Sequence, residues 1–81
     1  MKREQIAKNI VADLKELAAL TSDADGAQRV AWTPTFKKAT EWFTQKMQAA
    51  GADVWTDAAG NSWAKFAGES KECIVIGGHL D

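Results

Sequence analysis

His79 and Asp81 stand two residues apart at the end of the run ECIVIGGHLD, and His79 is the only histidine in the chain. On an extended backbone an i, i+2 pair projects to one side. A carboxylate so placed can hold one ring nitrogen of an imidazole while the other nitrogen binds a metal, fixing the tautomer and raising the basicity of the ligating atom. The same pair could instead act as a general base toward a nucleophile, but no nucleophile-elbow pattern accompanies it. The bland reading is a polar residue near a terminus. Against it stands the position after Gly77-Gly78, where an apolar strand would end, because the carboxyl ends of strands are where open α/β sheets bind ligands.

Other candidate donors are weaker. Cys73 lies inside the apolar run and reads as core. Asp53, Asp57, Glu69 and Glu72 sit in or beside turns and read as solvated surface. A catalytic zinc site takes three protein ligands plus water, so one imidazole with an orienting carboxylate is too few. The 81-residue chain on its own is therefore expected to be inactive. Arg29 suits either a substrate contact or a hydrogen bond that anchors its loop. Asn61 could serve an active site, yet turn chemistry accounts for it without further assumption.

These residues need elements to position them. From about Lys2 to Leu20, apolar residues at Ile6, Ile10, Leu14, Leu17 and Ala18 fall at helical spacing. Residues 21–28 (TSDADGAQ) carry the chemistry of a loop. Thr33-Pro34 predicts an N-cap followed by proline at the first helical position, with no capping box because Phe36 stands where Glu or Gln would. The second helix runs from Pro34 to about Ala50, its stripe formed by Phe36, Ala39, Phe43, Met47 and Ala50, with Gly51 ending it in a left-handed cap.

Ala52–Asp57 and Ser62–Ala67 predict a β-hairpin whose three-residue loop has Gly60 in the left-handed position. Asp57 then faces Asn61, and Trp55 faces Trp63 on one side of the sheet. Such an aromatic cross-strand pair contributes up to ~1 kcal/mol and pins the register. A second turn, Gly68–Lys71, leads into Cys73–Ile76, which is apolar without alternation and so predicts a strand covered on both faces. Two helices are too few to cover both faces. The expectation is the opening of a larger α/β domain, with residues 1–81 its incomplete N-terminal portion.

Composition narrows the class. The chain is 46% hydrophobic and 26% charged, which reads as globular rather than disordered. A chain of this size buries only about 60–65% of its unfolded surface. Four Trp and three Phe are expected to supply most of the core. Ten basic and eleven acidic residues are interspersed, so nucleic-acid binding lacks an electrostatic footprint. No apolar stretch is long enough to span a membrane. The charged N-terminus lacks the apolar core of a secretory signal, and a single cysteine fits a reducing compartment. The cytoplasm is the expected location.

Four blocks in order, SDADGAQRVAWTP, MQAAGADV, TDAAGNSWAKFAG and VIGGHLD, carry a resemblance over essentially the whole chain. The sequence resembles the zinc-dependent, metallopeptidase-like amidohydrolases, and within them the N-carbamoyl-L-amino-acid hydrolase, hydantoinase and allantoate amidohydrolase family. The resemblance implies a phosphorylase/hydrolase-like catalytic domain within a two-domain, usually homodimeric enzyme with a binuclear metal site. By the family pattern His79 would be a metal ligand and Asp81 the carboxylate orienting it. Two divalent metals, zinc or else manganese, cobalt or nickel, bridged by water or hydroxide would supply the nucleophile, with a glutamate as general base. The remaining ligands and that base lie downstream of Asp81 in the family pattern. The implied partner is a small-molecule substrate, an N-carbamoyl-L-amino acid or related linear amide such as allantoate or ureidoglycolate. Metallo-aminoacylases and peptidases share the superfamily, and a stand-alone, non-catalytic relic or binding module is the alternative of another class.

Overall fold

The computed structural model describes residues 2–81, with elements in the order α1 (Arg3–Thr21), β1 (Ser22–Asp23), β2 (Gly26–Ala27), α2 (Pro34–Ala49), β3 (Asp53–Thr56) and β4 (Ser62–Lys65). It is a mixture of helix and antiparallel sheet. Two compact units are present, one made of the residues up to Ala39 together with Asp81, the other of Thr40–Leu80. No helix among the described residues is long and apolar enough to cross a membrane.

α1 starts where Lys2 leaves extended geometry and its carbonyl accepts from the Gln5 and Ile6 amides, both at 3.1 Å. Glu4 in the first turn suits the positive end of the helix dipole. The helix ends at Thr21, whose hydroxyl donates to the Leu17 carbonyl at 2.7 Å, and Ser22 continues in extended geometry. Leu17 and Thr21 are buried. The rest of the expected stripe is not: Ile6, Ile10 and Leu14 are 43%, 53% and 59% exposed. The expected loop after α1 contains a two-residue antiparallel ladder pairing Ser22 with Ala27 and Asp23 with Gly26. The Asp23 carboxylate accepts from the Asp25 amide at 2.8 Å, a turn-forming habit of aspartate.

The start of α2 follows the sequence expectation. Thr33 Oγ1 accepts from the Phe36 amide at 3.2 Å and donates to the Val30 carbonyl at 2.6 Å. Thr33→Ala is expected to lower stability by about 1 kcal/mol, read from a denaturant midpoint. Trp32, just before the cap, has φ 68° and is 82% exposed, an uncommon conformation for a bulky residue. At the other end the Ala52 amide donates to Met47 O and the Gly51 amide to Gln48 O, both at 3.0 Å, with Gly51 at φ 95°. That is a complete Schellman cap. A Cβ at Gly51 would meet nothing within 4 Å. The expected cost of Gly51→Ala, about 1 kcal/mol, is thus purely conformational, and thermal denaturation would measure it. Along α2, Ala39 is buried and Phe36, Phe43 and Met47 are half-buried. The Lys46 ammonium lies over the Trp42 ring at 5.9 Å.

β3 and β4 pair antiparallel in the expected register, Trp55 with Trp63 and Thr56 with Ser62. Both strands are shorter than expected, β3 lacking Ala52 and Asp57 and β4 lacking Phe66 and Ala67. The indoles stack with centroids 6.2 Å apart and planes 9° apart. Gly60 has φ 91°, and the Asp57 amide donates to Asn61 O at 3.0 Å, so the three-residue loop forms as its sequence predicts.

Three expectations are corrected. Cys73–Ile76 is not a buried strand: it has no regular secondary structure, and Ile74 and Ile76 are 93% and 91% exposed. A strand exists only when a neighbour takes up its amides and carbonyls, and β3 and β4 pair only with each other. Cys73 is accordingly an exposed free thiol rather than core. The tryptophans are not mostly core either, since Trp32, Trp55 and Trp63 are exposed and Trp42 is half-buried. The buried apolar residues are the smaller Leu17, Ala39 and Ala52.

Candidate functional site

The segment carrying His79 and Asp81 follows Gly77 and Gly78 without entering a strand, and both side chains are exposed. His79 is grouped with the second unit and Asp81 with the first. A Cβ on Gly77 or Gly78 would meet nothing within 4 Å, so neither glycine serves a close backbone approach here. Among the described residues, no group of three or more His, Cys, Asp or Glu side chains is placed to hold a metal ion. Cys73 Sγ makes only a long contact to Lys71 O at 3.8 Å. Asp53, Glu69 and Glu72 are exposed, as expected of solvated acids, and the Glu72 amide donates to Ser70 Oγ at 3.1 Å.

Asp57 is organised differently from the other acids. Its carboxylate accepts four hydrogen bonds: from Trp63 Nε1 at 2.9 Å, from Asn61 Nδ2 at 3.0 Å, and from the Asn61 and Ala59 amides at 2.9 and 3.0 Å. The Trp63 indole N–H and then the Asn61 donors favour its charged form and hold its pKa down to about 2. Sequence reasoning placed Asp57 in the turn but missed this convergence. The signal was available: once Asp57 faces Asn61, Trp63 lies one pleat further along the opposite strand. Asn61 thereby has a structural role, closing its own loop.

Arg29 also receives a definite place. It is half-buried, and its Nη1 donates to Thr21 Oγ1 at 3.2 Å, while the Gln28 amide donates to the Thr21 carbonyl at 3.1 Å. The last turn of α1 has no basic residue of its own. Arg29 brings a positive charge to that carbonyl-rich end, where cations are favoured. Of its two expected roles, loop anchoring is the one the hydrogen bonding displays.

Comparison with known proteins gives three relatives. Over 77 residues the chain is 31% identical to an N-carbamoyl-L-amino-acid amidohydrolase of Paenarthrobacter aurescens, covering 93% of this chain and 19% of that protein. It is 30% identical over 81 residues to a probable allantoate deiminase of Oryza sativa subsp. japonica, covering 98% and 16%. It is 36% identical over 74 residues to allantoate deiminase 1 of Glycine max, covering 88% and 15%. No family model and no solved structure matches. The resemblance to the N-carbamoyl-L-amino-acid hydrolase and allantoate amidohydrolase family thus holds over about nine-tenths of the chain, and the chain spans less than a fifth of the length of these relatives.

Proposed function

We propose that this chain is the N-terminal portion of the catalytic domain of a metal-dependent amidohydrolase that cleaves a non-peptide C–N bond in linear amides such as N-carbamoyl-L-amino acids. The observation that carries the reading is the near end-to-end similarity to relatives named as amidohydrolases or deiminases, together with His79-Leu80-Asp81 at the end of the last matching block. Two of those relatives are named allantoate deiminases, which favours allantoate as the second substrate candidate. The reading places the protein in the cytoplasm, in a homodimeric parent.

The donor set fits a metal site only in part. His79 would supply one imidazole and Asp81 the carboxylate that orients it, which falls short of the three protein ligands a catalytic zinc site takes. A bound divalent metal supplies an acidified water and a polarised substrate carbonyl. Within this chain, the role left to Asp81 is to hold the proton on one ring nitrogen of His79 so that the other presents its lone pair.

The test has two steps. The first is to read the gene past the codon for Asp81. An in-frame continuation that adds an aspartate, a glutamate pair and further histidines is expected, and an immediate stop codon would count against an enzyme. The second is to express the full reading frame with divalent metal and compare release of ammonia from N-carbamoyl-L-amino acids and from allantoate. Hydrolysis of neither would sink the proposal.

A further inference from the structure

We draw no further inference here: the strongest candidate, the exposed surface patch on the β3–β4 hairpin where Trp55 stacks on Trp63, is an unpartnered apolar face, and nothing in the structure shows what covers it.

Discussion

On the hydrolase reading proposed above, His79→Ala in the full-length enzyme is expected to lower kcat/KM by more than about 100-fold and to reduce bound metal measured by elemental analysis. Losing even an orienting partner of a metal-bound histidine costs about 10–100-fold, and losing the ligand itself removes one of the few donors that fix the metal. Asp81→Asn should fall within that 10–100-fold range, because it leaves the imidazole in place and weakens only its orientation. The two variants separate ligand from orienter. Added metal should restore part of the activity of Asp81→Asn and little of that of His79→Ala. Equal, mild losses in both, with full metal content, would remove His79 from the metal site. In the 81-residue chain the same residues predict no sub-micromolar zinc binding by calorimetry, since no group of three donors is assembled among the described residues.

The second large effect concerns Asp57. Protonating or replacing its carboxylate releases four donors at once, two of them on Asn61 and one the indole of Trp63. The loop then loses the acceptor that ties it to β4, and the stack of Trp55 on Trp63 loses its restraint. The folded pKa, about 2, lies below the ordinary 3.8. Asp57 therefore contributes to stability fully above pH 4, and that contribution fades as the pH falls through 3.8 toward 2. Amide exchange in β3 and β4 is expected to be flat above pH 5 after correction for intrinsic rates and to lose protection over that acid window. Asp57→Asn should weaken protection at neutral pH and abolish the acid transition. A transition that persists unchanged in Asp57→Asn belongs to another carboxylate.

What the sequence made legible is what short-range chemistry decides. Thr33-Pro34, Gly51 and the loop 57–61 each specify local geometry through a capping hydroxyl, a left-handed backbone or a tight turn. Their neighbours in the chain are their partners in the structure, so reading them in order was enough. The Trp55–Trp63 pairing followed from the loop length alone. Cys73–Ile76 failed because a strand is a property of two segments, and the apolar letters of one say nothing about whether a second is beside it. The stripe of α1 failed in the same way, with the right spacing but no covering layer. His79 and Asp81 are legible only as a candidate ligand and its candidate orienter, since the donors of a metal centre come from distant parts of a chain. Arg29 was undecided in sequence because its partner, Thr21, is eight residues away across a turn.

The exposed run Cys73–Ile76 also bears on how the polypeptide behaves while it is being made. A short, uncharged, β-branched segment held open to solvent is the kind of sequence that seeds cross-β stacking between chains. Lys71 and Glu72 stand immediately before it, two glycines follow it, and Asp81 lies close behind. Charges flanking an unavoidable apolar run act as gatekeepers, making stacked copies repel where the run itself would attract. A chain emerging from the ribosome with those flanking charges replaced by alanine is expected to aggregate more readily than the natural sequence.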